Sequence, residues 1–116
     1  MATGTLKKNM VLLWTNPNPT SSFTPQTVQV DLTNYRFVLI SYENKAGSDP
    51  RLIHFVHEKG AKSIVSSIYS YKIINRTIDV ITDSGVDFAG GGISDTYATI
   101  TADNSYFVPY QIFGIV

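Results

Sequence analysis

Thr27-Val28-Gln29-Val30-Asp31-Leu32, a turn at Thr33-Asn34-Tyr35, and then Arg36-Phe37-Val38-Leu39-Ile40-Ser41-Tyr42-Glu43 form the stretch that decides the fold. The first segment alternates strictly, so Val28, Val30 and Leu32 turn inward while Gln29 and Asp31 meet solvent, as on a strand with one buried face. The second carries Phe37-Val38-Leu39-Ile40 without a polar break, apolar on both faces, and reads as the central strand of a packed sandwich.

Strand and turn signals continue outward in both directions. Upstream, Asn9–Trp14 is a short apolar strand that stops at Thr15-Asn16-Pro17-Asn18-Pro19, where prolines and asparagines favour turns over ladder pairing. A Ser/Thr-rich connection, Thr20 to Gln26, follows. Downstream, Asn44–Pro50 is a polar loop with a tight turn at Ala46-Gly47, and Arg51–His57 is a strand closed by Glu58-Lys59-Gly60. Ser63–Tyr71 fits a strand or a short amphipathic helix, its β-branched and aromatic content favouring strand. Lys72–Thr82 alternates through Ile74, Arg76, Ile78 and Val80, and Asp83-Ser84-Gly85 turns it into Val86-Asp87-Phe88.

Gly90-Gly91-Gly92 reads as flexible backbone that lets a connection pass close to another backbone or chain. Ile93–Ile100 is a weakly patterned strand, Thr101–Ser105 a loop and Tyr106–Ile115 a closing strand. Pro109 inside the last implies an edge strand or a bulge. The expected fold is all-β: one jelly-roll-like β-sandwich domain of eight or nine short antiparallel strands over residues 9–116, preceded by a flexible segment 1–8.

Composition agrees with this reading. Val, Ile and Thr total 34 of the 116 residues and the aromatics 14, against six Leu, six Ala and two Glu, a mix that fits pleated surfaces and starves helices. Nine Lys+Arg cancel nine Asp+Glu, which argues against an electrostatic nucleic-acid binder or a polybasic membrane-surface module. The longest apolar runs are too short to span a bilayer, so no membrane insertion is expected. With no cysteine, thiol catalysis, disulfides and thiolate metal sites are removed together. Met1–Lys8 shows no apolar core of a signal peptide.

The chemistry-bearing residues are sparse. His54 and His57 point to opposite sides of a strand and make a poor metal pair. Serines are abundant, yet no strained Gly-x-Ser-x-Gly turn activates one. Asp79, Asp83 and Asp87 lack the ligand spacing of a calcium loop, and the three glycines lack the Lys-Ser/Thr of a phosphate loop. No cofactor, metal or catalytic residue is therefore expected. The aromatics say more: Trp14, Phe37, Phe55, Phe88, Phe107 and Phe113 sit inside apolar runs and read as core. Tyr69, Tyr71 and Tyr97 lie near strand ends and are the candidate ligand-binding residues, since an exposed tyrosine suits stacking on a sugar or packing at an interface.

Val11-Leu12-Leu13-Trp14-Thr15-Asn16-Pro17-Asn18-Pro19-Thr20-Ser21-Ser22-Phe23, Gln26-Thr27-Val28 and Tyr35–Tyr42 together resemble the terminal β-domain of tail, baseplate and fibre proteins of phages and prophages of Gram-positive bacteria. Arg76–Val80, Gly85–Phe88 and Pro109–Ile115 are similar to that family's later blocks. The resemblance implies a virion protein made in the bacterial cytoplasm and displayed on the particle, non-enzymatic, and forming homo-oligomers, with trimers favoured. It also implies two readings of partners: a host cell-surface saccharide, or only other phage structural proteins. Trp14-Thr15-Asn16-Pro17 reads as fold-defining, with the indole anchoring the sandwich and Asn16 bonding its own turn.

Overall fold

Alternating and two-sided apolar segments pair into nine antiparallel strands in the computed structural model, which describes residues 9–47, 49–94 and 99–116. They are β1 (Met10–Thr15), β2 (Gln26–Gln29), β3 (Phe37–Lys45), β4 (Asp49–Glu58), β5 (Ser63–Tyr69), β6 (Lys72–Thr82), β7 (Gly85–Ser94), β8 (Ile100–Ala102) and β9 (Tyr106–Ile115). The front sheet has the order β1-β9-β3-β4 and the back sheet β2-β7-β6-β5, with β8 continuing the β2 side of β7. The two sheets pack as a β-sandwich. β1 and β2 cross between sheets as neighbours of β9 and β7, as in a jelly roll, while β3–β4 and β5–β6–β7 run as hairpins.

The inward phases of the strands meet in one core. Val38, Ile40, Tyr42, Phe107 and Ile112 of the front sheet face Val65, Ile74, Ile78, Ile81, Val86 and Phe88 of the back sheet, all 0–2% exposed. β3 is central, as its unbroken apolar run predicts. The alternation of β6 slips at a register shift between Ile78 and Val80, so Ile81 takes the buried position in place of Val80. Ser63–Tyr71 is a strand and a turn, and Ser70 and Tyr71 close its hairpin with φ of 49° and 70°. Two positive-φ residues between Tyr69 and Lys72 are the requirement of a two-residue type I′ turn, here met without glycine at a steric cost.

Expectations change at two segments, and of the two alternatives for Pro109 the bulge holds. Pro109 lies in a strand between β1 and β3, so it is not at an edge; its device is a bulge, with Ser41 opposite Gln111 and Tyr42 already opposite Pro109. Gly90–Gly92 is not a flexible connection but the interior of β7, paired to β6 and β8. The expectation of a close approach does hold there: a Cβ on Gly91 would sit 2.8 Å from the carbonyl oxygens of Asp103 and Tyr106. The 93–100 strand divides, its two ends belonging to β7 and β8. Residues 1–8, read as a flexible segment, lie outside the described residues.

Arg76 occupies an inward position of β6 and is 0% exposed, the largest side chain sealed in the core. Its guanidinium has five N–H donors, and all five are used. Nε donates to the Phe107 carbonyl (3.0 Å), Nη1 to those of Phe23 (2.8 Å) and Ala89 (3.0 Å), and Nη2 to those of Asn104 (3.0 Å) and Tyr106 (2.9 Å). It also lies 5.6 Å from the Phe23 ring centroid. Burial lowers its pKa to about 10, so the charge is kept at neutral pH. One side chain thereby fixes the crossing segment before β2, the β8–β9 turn, and β7.

Arg76→Lys retains the charge but supplies three donors in place of a five-donor fork. At about 1–3 kcal/mol for each buried polar group left unmet, the variant should lose roughly 3 kcal/mol of unfolding free energy in urea, followed by Trp14 fluorescence. A loss within the error of extrapolation would contradict this account of the core.

Candidate functional site

β1 ends where β9 bulges, and the bulge turns main-chain groups toward the incoming chain. Asn16 N–H donates to the Tyr110 carbonyl (2.7 Å), and its Nδ2 donates to that of Pro109 (2.8 Å). Its Oδ1 accepts from Asn18 N–H at 2.8 Å, so Asn16 does bond its own turn. Pinned in this way, the segment crosses to the back sheet, where Phe23 N–H reaches the Asn104 carbonyl at 2.9 Å. Phe23 then joins the core, its ring 5.4 Å from Phe88 and 6.2 Å from Trp14.

The loop leaves an open groove of about 500 Å³ between the end of β1 and β2. Trp14 and Phe23 supply its apolar wall, and Asn18, Ser21, Gln26 and Gln29 supply amides and hydroxyls. Trp14 is half-buried, so the indole both packs on Phe23 and lines the groove. The sequence reading of Trp14–Pro17 as fold-defining therefore captures the turn and misses the groove. Its signal was present in the clustering of Asn, Ser and Gln around one tryptophan.

Of the tyrosines predicted from sequence, the two described ones lie at the β5–β6 hairpin and apart from this groove. Tyr71 stands at the β5–β6 hairpin tip and is 100% exposed. Tyr69, two residues earlier, is half-buried, its ring 5.7 Å from that of Tyr106; it is a packing residue rather than an exposed one. Tyr97 lies outside the described residues. The hairpin tip belongs to the β5 edge of the back sheet and the groove to the opposite β2 edge.

A second polar constellation joins the two sheets. The Tyr42 hydroxyl lies 3.0 Å from His57 Nε2, and the Ser63 hydroxyl 3.1 Å from His57 Nδ1. The distances resemble those of a nucleophile and its base. Tyr42 is 0% and His57 6% exposed, however, and burial lowers the imidazole pKa to about 4, which makes it a weak base in a closed place. The chain stitches β3 and β4 to β5. His54 is exposed on the opposite side of β4, as strand periodicity requires.

Among the described residues the carboxylates do not assemble either. Asp83 pairs with Lys59, and Thr33 hydrogen bonds hold Asp31 below the usual range, while burial raises Glu43. Among the described residues no three His, Asp or Glu are grouped as metal ligands.

His57 gives a definite pH signature. Its folded pKa is about 4 against an ordinary value of 6.5, so between these values the unfolded chain binds more protons. The contribution is full above pH 6.5 and is lost as the pH falls toward 4, by on the order of 3 kcal/mol. Glu43, shifted upward, acts with the opposite sign over the carboxylate range. Urea unfolding across this window should show the decline in the parent chain and a much shallower one in His57→Gln; equal slopes would contradict it.

Compared with known proteins, the chain matches no family model, no curated protein and no solved structure.

Proposed function

We propose that this chain is a non-enzymatic attachment domain of a phage virion, carried on the tail, baseplate or fibre, and that it holds a host cell-surface saccharide in the groove beside Trp14. The observation that carries the reading is the lining of that groove: an indole wall facing amides and hydroxyls. A sugar ring has apolar faces and a rim of hydroxyls, so it takes an aromatic plane on one side and hydrogen-bonding side chains around it. The virion assignment rests on the resemblance of Val11–Phe23, Tyr35–Tyr42 and Pro109–Ile115 to phage tail-tip domains. The balanced charge fits a partner met through stacking and hydrogen bonds.

A second reading is favoured by one specific surface. Across the outer face of the front sheet, Leu12, Phe113, Leu39 and Val56 stand opposite one another in a single cross-strand row. Leu12 is 51% and Val56 60% exposed, where a solvated face would alternate to polar residues. Such a face suits another virion protein and supports a structural module.

Titration with purified wall polysaccharide of Gram-positive hosts, read through the single tryptophan, separates these readings. Saturable binding is expected, weakened about tenfold by Gln29→Ala or Asn18→Ala, the value of one lost hydrogen bond, and unchanged by Tyr71→Ala. A loss confined to Tyr71→Ala would move the site to the hairpin tip. No binding by the parent chain, with particle incorporation abolished by Val56→Lys, would replace attachment with the structural reading.

A further inference from the structure

Two open sheets have lateral edges, and an open edge offers unpaired N–H and C=O groups to another strand unless something blunts it. β1 is interrupted by a bulge between Leu12 and Trp14, and β4 carries Asp49, Arg51 and Glu58 in its sequence. On the other side of the back sheet β2 has four residues and β8 three. Each of these edges is short, charged or irregular.

β5 is none of these. Its seven residues, Ser63-Ile64-Val65-Ser66-Ser67-Ile68-Tyr69, include no charge, proline or glycine. It pairs with β6 from Ser63 to Tyr69 without a register shift, and β6 is its only neighbour in the sheet among the described residues. Its outer face shows Ile64 at 66% and Ile68 at 73% exposure, two large aliphatic side chains flanking Ser66.

That spacing is self-complementary. A two-fold axis at Ser66 sets Ile64 opposite the partner's Ile68, Ile68 opposite the partner's Ile64, and Ser66 opposite the partner's Ser66. Antiparallel registers centred elsewhere on the strand match fewer isoleucines. The same register sets Lys62 opposite the partner's Ser70, so like charges do not meet. Aliphatic cross-strand pairs on one face are the unit of sheet stabilisation.

We propose that a second copy of this chain pairs antiparallel with β5 about a two-fold axis at Ser66, joining two back sheets into one continuous sheet. Closed three-fold symmetry cannot use this contact, because pairing a strand with itself in antiparallel sense requires a two-fold axis. The dimer is therefore distinct from the trimer that the phage-family resemblance implies.

Ser66 is exposed in the fold and faces itself across the axis, so a charge placed there reports on the register. Light scattering of the whole chain over rising concentration should give the mass of two chains. Ser66→Lys and Ser66→Glu should each give the mass of one chain while keeping a single cooperative urea transition, its midpoint no longer dependent on protein concentration, and an equimolar mixture should return to two. A parent that stays at one chain's mass up to its solubility limit, or assembles as three, overturns the proposal. A Ser66→Lys variant that remains a dimer, or a mixture that stays monomeric, also overturns it.

Discussion

Carrying Arg76 into the core costs several kcal/mol in desolvation, and no carboxylate appears among its hydrogen-bond partners to offset that cost. What offsets it is geometry: five N–H groups meet five main-chain carbonyls from three separate stretches of chain. Apart from β7, which carries Ala89, those stretches have few ladder bonds of their own. Phe23 lies in an irregular crossing, Asn104 in a turn, and Tyr106 and Phe107 where β9 begins, with Phe107 at a φ of 51°. The guanidinium supplies the order that a sheet would otherwise supply, and neighbouring backbone must come close for it to do so. Gly91 stands directly across from Arg76 in the β6–β7 ladder, where any Cβ would be crowded by the carbonyls the arginine gathers.

From this centre the two lateral sides of the sandwich acquire different characters. On the β1–β2 side the chain crosses between sheets, pinned at one end by Asn16 on the Pro109 bulge and at the other by Phe23 under Arg76. The groove is the space this bridge leaves, so its wall is held by core contacts and its rim is polar. On the β4–β5 side the crossing is the short turn after Glu58, and the sheets are joined by the Tyr42–His57–Ser63 chain. Nothing among the described residues pairs with the outer side of β5.

Much of the fold is legible in the sequence because it rests on period. Lys72–Thr82 and Tyr106–Ile115 coincide with their predicted strands, and the unbroken Phe37–Ile40 run lies in β3, interior to its sheet as expected, although Phe37, read as core, is 38% exposed on the outer face. What escapes is what period cannot carry. Arg76 falls on the inward phase between Ile74 and Ile78, and alternation treats it as one more core position with no hint of five carbonyl partners far away in sequence. Pro109 has two structural solutions, and only the bulge against Ser41 and Tyr42 selects between them. The groove depends on which loop covers which strand end, a long-range relation. Tyr71 and Tyr69 differ by two residues and look alike in sequence, yet one tops a hairpin while the other faces Tyr106.

The separation of the two sides bears on how attachment would work. A shallow groove that offers one aromatic wall and a few hydrogen bonds binds a sugar weakly, and such a site gains from a second copy within reach. Pairing through β5 leaves the β2 edges at opposite ends of a continuous eight-strand path. With strands about 4.8 Å apart, seven spacings put the two grooves roughly 34 Å from each other. Both would belong to one rigid sheet, so no linker entropy is spent in presenting them together. A repetitive polymer on a cell wall could then be engaged at two points along its length, and neither groove is obstructed by the contact that holds the copies together. The apolar row of Leu12, Phe113, Leu39 and Val56 lies on the other sheet, facing away from the core, and stays uncovered by pairing through β5.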